Sequence, residues 1–96
     1  MSKAEIEAFL NSLGVKPENV IAINFDNAQR AVFDDRHKFS YDYIKQYGDG
    51  EYFVKQEIDW KGNPYFVAIK LDNIQGIIVG HPSVPIENYD IRSIIQ

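Results

Sequence analysis

The sequence predicts an α+β domain in which an N-terminal helix packs on an antiparallel β-sheet, or on a small curled barrel, of four to six strands. Three observations carry this expectation. Apolar residues repeat with helical spacing over the first fourteen positions. Apolar and polar residues alternate over 51–60 and again over 65–71. Pairs of turn-forming residues, Asp26-Asn27, Gly62-Asn63 and Asp72-Asn73, punctuate the remaining short β-branched runs.

The helix has the clearest local signature. Ser2 followed three positions later by Glu5 forms a capping box, which satisfies two otherwise unpaired donors at a helix start. Ile6, Phe9, Leu10 and Leu13 fall on one stripe, and Gly14 supplies the left-handed residue that commonly ends a helix, so residues 3–13 are expected to be helical.

Val20 to Phe25 reads as the first strand, with Asp26-Asn27 as its turn and Arg30 to Phe33 returning beside it, a hairpin spanning roughly 20–34. Asp34 to Lys38 is too polar to be buried. Over 39–47, Phe39, Tyr41 and Tyr43 alternate as in a strand, while Phe39, Tyr43 and Tyr47 recur every four residues as in a helix. The alternation favours a strand over 39–44, broken by Gly48-Asp49-Gly50.

In 51–60 the pattern places Tyr52, Val54, Gln56, Ile58 and Trp60 on a core face and Glu51, Phe53, Lys55, Glu57 and Asp59 on a wet face. Lys61 to Pro64 turns the chain, and Tyr65, Val67, Ile69 and Leu71 return. A two-residue Gly62-Asn63 turn sets Lys55 opposite Lys70, a repulsive pair, so a bulge or a longer loop is expected there. Ile77 to Val79 then completes a three-stranded meander. The tail from Pro82 supports two readings, a helix started by Ser83 and Pro85 that carries Ile91, Ile94 and Ile95, or a short turn and a final strand through Tyr89, Ile91, Ser93 and Ile95, and the strand is favoured. No internal repeat is expected.

Composition narrows function by exclusion. With 96 residues, 45% hydrophobic and 25% charged, the chain is expected to form a single domain over 1–96 around one core. It contains no cysteine, which removes disulfide frameworks, thiolate metal sites and cysteine nucleophiles. A formal charge of −4, with no basic cluster denser than Arg36-His37-Lys38, argues against nucleic acid as a partner. The apolar runs are too short to span a membrane, and the start lacks the features of a secretory signal, so a cytoplasmic protein is expected.

No residue constellation points to catalysis. His37 and His81 lie outside any metal-ligand spacing, and Asp34 and Asp35, as neighbours, point apart on a strand. No serine sits in a glycine-flanked elbow, and Gly48 and Gly50 precede a strand, whereas a phosphate-cradling loop opens a helix. Neither a metal nor a cofactor is expected, and the chain reads as not an enzyme.

The feature that leans toward function is aromatic content: six Phe, six Tyr and one Trp, with eight of these rings within residues 41–66. Tyr41, Tyr43, Phe53 and Phe66 are the candidate partner-binding residues, Phe53 and Phe66 because they occupy the parity that otherwise faces water. The expected function is a small non-catalytic protein-binding module, a stoichiometric regulator or inhibitor of a partner protein, with a protein partner or a homodimer mate as its target. The alternatives are a small-ligand binder or minimal enzyme with a pocket at the sheet mouth, and a structural subunit of a larger assembly.

Overall fold

Ser2 begins the first helix as its sequence dictates. Its hydroxyl accepts the Glu5 N–H at 3.1 Å and the Glu5 carboxylate accepts the Ser2 N–H at 3.1 Å, opening α1 (Lys3–Ser12). The computed structural model describes residues 1–94. Gly14 follows the helix with φ +69°, a conformation that costs glycine little. Ile6 and Leu10 are buried, whereas Phe9 and Leu13, on the same stripe, stay half in solvent. The Met1 ammonium donates to the Leu71 carbonyl at 3.2 Å, and the Lys3 N–H donates to the Glu51 carboxylate at 3.1 Å, which ties the helix start to the strands below.

Six strands follow: β1 (Val20–Phe25), β2 (Arg30–Val32), β3 (Ile44–Tyr47), β4 (Gly50–Ile58), β5 (Pro64–Lys70) and β6 (Ile74–Val79), with a helical turn α2 (Ile91–Ile94) near the end. They do not form one sheet. Antiparallel pairing gives two three-stranded sheets, ordered β2-β1-β6 and β3-β4-β5. The expected meander is therefore corrected: after β5, a tight turn at Leu71–Asn73 buries Leu71 and sends β6 away to β1.

The β1–β2 hairpin lies inside the expected 20–34 span. Its turn, Asp26–Ala28, holds Asn27 and Ala28 at positive φ and closes with the Phe25 N–H on the Gln29 carbonyl at 2.8 Å. β1 is buried on both faces. On one face Ile23 and Phe25 join the main core with Ile6, Leu10 and Phe53. On the other, Ile21 and Ala22 are covered by Ile86, Tyr89, Ile91 and Ile94 of the C-terminal segment. This segment is a 3-10 turn and a helical turn where a strand was expected, and Ile95 lies outside the described residues.

The main core is largely aromatic. Phe33 meets Phe39 at 5.4 Å, Tyr43 at 5.7 Å and Phe53 at 6.1 Å between ring centroids, and Phe25 meets Phe53 at 5.6 Å. Such tilted and edge-on pairs each stabilise by about 0.5–1.5 kcal/mol beyond their burial. The segment 39–44, expected as a strand, delivers Phe39, Tyr41 and Tyr43 from a loop and a 3-10 turn, and strand geometry begins only at Ile44.

That turn belongs to a recurring device. Pro17-Glu18-Asn19, Tyr41-Asp42-Tyr43, Leu71-Asp72-Asn73 and Ile86-Glu87-Asn88 are all single 3-10 turns with an acidic residue at the centre; the first three lead into β1, β3 and β6. The donors at two of these turns are met by other side chains: the Ser40 hydroxyl accepts the Asp42 N–H at 3.3 Å and the Asn19 side-chain carbonyl accepts the Lys16 N–H at 2.9 Å. The pattern is too short to register as a sequence repeat.

Candidate functional site

The β4–β5 hairpin is the element that leaves the core. Its strands pair from Tyr52–Lys70 to Ile58–Pro64, which leaves Asp59–Asn63 as a five-residue loop. The longer loop avoids the Lys55–Lys70 clash as expected, and the register sets Lys70 opposite Tyr52 and Lys55 opposite Val67. Burial fades along the hairpin, from Phe53 in the core through half-buried Lys55 to exposed Ile58.

The parity is the reverse of the expected one. Odd positions of β4 face the body and even positions face out, so Phe53 is 2% exposed while Ile58 is 66% exposed. Core contacts are needed only where the hairpin passes the Phe25 and Phe33 rings, so one apolar residue, Phe53, decides the inward face. Beyond it, Lys55 bridges the gap to the first sheet. Its ammonium reaches the Val32 carbonyl at 3.5 Å, pairs with Glu57 at 3.2 Å and lies 5.4 Å from the Phe33 ring centroid.

Asp59 shapes the tip. One carboxylate oxygen accepts the Asn63 N–H at 2.8 Å and the Lys61 N–H at 2.9 Å, while the Asp59 N–H donates to the Asn63 carbonyl at 2.9 Å. The Asn63 N–H foremost, with further donors from the loop, holds the Asp59 carboxyl below its ordinary value. The loop so fixed presents Trp60, 89% exposed, with the Lys61 ammonium 5.1 Å from its ring centroid. Phe66, 73% exposed, shares the outer face with Ile58, and Tyr65 is 49% exposed on the opposite face.

Two shallow clefts border this hairpin. The inner one, about 260 Å³, is floored by Phe25, Ala31, Phe53, Val67 and Ile69 and rimmed by Lys55, Glu57 and Tyr65. The outer one, about 330 Å³, runs from Phe66 and Val54 to Tyr43 between Lys38 and Lys45.

Of the four candidate partner-binding residues, the structure leaves Phe66 alone fully at the surface. Phe53 is core, which corrects its assignment to the wet face. Tyr43 is half-buried, stacked on Phe53 at 5.6 Å and on Phe39 at 6.2 Å. Tyr41 packs edge-on against Phe39 at 5.9 Å, and burial pushes its phenol pKa up. Ile58 and Trp60 were assigned to the core face and belong to the surface. The signal that identifies them is their closeness to the loop, where a strand outruns its neighbours.

Outside the hairpin, the titratable groups Asp34 and His81 are engaged in local turns. Among the described residues no three metal-ligating side chains converge. Asp34 accepts the N–H groups of His37 at 2.8 Å and Arg36 at 2.9 Å, the His37 donor leading the downward shift of its pKa, so it serves as a turn-forming residue. In the 81–84 turn the Ser83 hydroxyl lies 2.6 Å from His81 Nδ1, a contact that sequence reading missed. The same nitrogen also receives the Ser83 N–H at 3.1 Å, and the turn closes with the Val84 N–H on the His81 carbonyl at 3.0 Å. Both side chains are exposed, and no carboxylate among the described residues bonds to the imidazole.

No family model matches the chain, and no curated protein or solved structure shows significant similarity to it. No helix among the described residues is long and apolar enough to cross a membrane.

Proposed function

We propose that the protein is a non-catalytic protein-binding module, acting in the cytoplasm as a stoichiometric regulator or inhibitor, and that its contact surface is the outer face and tip of the β4–β5 hairpin. The observation that carries this reading is the group Ile58, Trp60 and Phe66, large apolar residues held outside the core on the outer face and tip of a paired, loop-clamped hairpin. Aromatic anchors of this kind dominate protein contacts because they cover much area with little loss of side-chain freedom. The outer cleft beside Phe66 carries Lys38 and Lys45 with one carboxylate, Asp42, a net positive margin on a chain of net charge −4, suited to a partner with an acidic margin. The two clefts beside the hairpin, about 260 and 330 Å³, lie at or below the bottom of the range of about 300–1,000 Å³ for ligand pockets and open broadly to solvent, which supports a surface contact over an enclosing pocket.

The test is affinity capture from native cytosol with the wild-type chain and a Trp60→Ala/Phe66→Ala double variant, and with Leu13→Ala as a control at a separate exposed apolar residue. The reading predicts a stoichiometric partner that the double variant loses and the control keeps. Retention by the double variant contradicts it.

A further inference from the structure

The outer edge of β5 holds an unused hydrogen-bonding strand, and we propose that it pairs with β5 of a second copy, antiparallel across a two-fold axis, to join two hairpins into one six-stranded sheet. The inference rests on the same hairpin as the binding-module reading but names a different occupant.

The alternation of antiparallel pairing identifies the free groups. The Asp59–Asn63 bond closes the loop, so Glu57–Tyr65, Lys55–Val67 and Phe53–Ile69 are the hydrogen-bonded pairs that follow it. Phe66, Ala68 and Lys70 then turn their N–H and C=O groups away from β4, and among the described residues no backbone group outside β4 bonds to them. Pro64, on the same outward set, has no N–H to offer, so the free donors of this edge are those of Phe66, Ala68 and Lys70. β5 is seven residues long and its one charge, Lys70, lies at its end, paired with Asp49 at 3.1 Å. Pro64 and Lys70 blunt the two ends of this edge, and between them the stretch Tyr65–Ile69 is apolar, with no inward charge or bulge, so its free groups at Phe66 and Ala68 are a template for another strand.

Self-pairing about Val67 matches side chains on both faces. It sets Phe66 opposite the second copy's Ala68 outside and Tyr65 opposite its Ile69 over the inner cleft, each a ring against an aliphatic group, with no like charges opposed. The exposed parts of the Tyr65 and Phe66 rings of two copies set an upper bound of roughly 500 Å² on what they bring to the interface. A single added strand pair of this size falls below the roughly 1,200–2,000 Å² of specific stable interfaces, as befits a weak, reversible dimer.

The experiment is a light-scattering dilution series on the full chain. Twice the chain mass at high concentration, falling to one on dilution, is expected; a single chain mass throughout overturns the pairing. Ala68→Pro removes the outward N–H and leaves the bonds to β4 intact, so it should weaken the dimer about thirtyfold through two lost hydrogen bonds. Equal affinity of this variant overturns the proposal. Because the chain has no cysteine, Val67→Cys supplies a second, independent readout: the two-fold places the new thiols opposite each other, and mild oxidation should give a covalent dimer. Should Ala68→Pro lose its circular dichroism, the cross-link decides, and its absence counts against the pairing. A monomeric chain that still captures a partner through Trp60 and Phe66 sinks strand pairing and leaves the binding-module reading standing; a dimer that captures nothing does the reverse.

Discussion

The rings of Phe25, on β1, and Phe53, on β4, meet at 5.6 Å between centroids and 45° between planes, and this contact joins the two sheets. It explains why the hairpin faces as it does. Phe53 is drawn inward by a neighbour 28 positions earlier in the chain, and every even position of β4 is thereby turned out.

Trp60 offers a direct optical check, because it is the single tryptophan of the chain and its ring is exposed on the hairpin loop. The emission of the folded, dilute protein should match that of indole in water, be fully accessible to acrylamide, and change little in wavelength on unfolding. A blue-shifted emission that moves to the red on unfolding would place the ring in an apolar environment and remove the tip from the proposed surface. If the tip is a contact, addition of a captured partner should protect the ring from quenching.

Gly80 is fixed by contact, since a Cβ there would lie 2.8 Å from Tyr89 Cε2 and 3.3 Å from its Cζ. The same tyrosine hydroxyl accepts the His81 N–H at 2.8 Å, so the ring cannot swing away without losing that bond. Gly80→Ala should cost about 1–3 kcal/mol in denaturant unfolding. In a Tyr89→Leu background, where the outer ring atoms are gone, the same substitution should cost less than about 0.5 kcal/mol. Equal costs in the two backgrounds would contradict the close packing of the C-terminal segment on the first sheet.

Asp59 ties loop geometry to acid. Its carboxyl titrates below the ordinary value of 3.8 because the folded loop donates N–H groups to the anion, the Asn63 N–H foremost. A carboxyl lowered in the folded state adds stability that is complete above its unfolded value and is lost as pH falls through its folded one. The Lys61 and Asn63 amide resonances should therefore hold steady above about pH 4 and shift below it, with a midpoint under 3.8. Asp59→Asn should abolish that titration. A midpoint at or above the ordinary value would show that the N–H groups do not hold the carboxylate.

Local signals carried part of the fold. The Ser2–Glu5 box, the Asp26-Asn27 turn and the paired alternating runs were legible because each is decided by residues within a few positions. What was not legible was decided by distant contacts. β6 leaves β5 for β1, a partner some fifty positions earlier, and nothing in Ile77-Ile78-Val79 names that partner. The tail forms a helical turn because Ile86, Tyr89, Ile91 and Ile94 must cover Ile21 and Ala22, a demand set by the sheet and absent from the tail's own alternation. For the site, aromatic richness in 41–66 drew attention to the correct region. Counting apolar residues by parity chose the wrong face, since the richer parity of β4 is the one left outside and a single Phe53 outweighs it.

The central claim, that the hairpin turns Phe53 in and keeps Phe66 out as a contact surface, is tested most directly by denaturant unfolding of Phe53→Ala and Phe66→Ala, at concentrations too low for self-association. Phe53→Ala should lose about 3–5 kcal/mol and Phe66→Ala less than about 1 kcal/mol. Comparable large losses in both would place Phe66 in the core and contradict the claim.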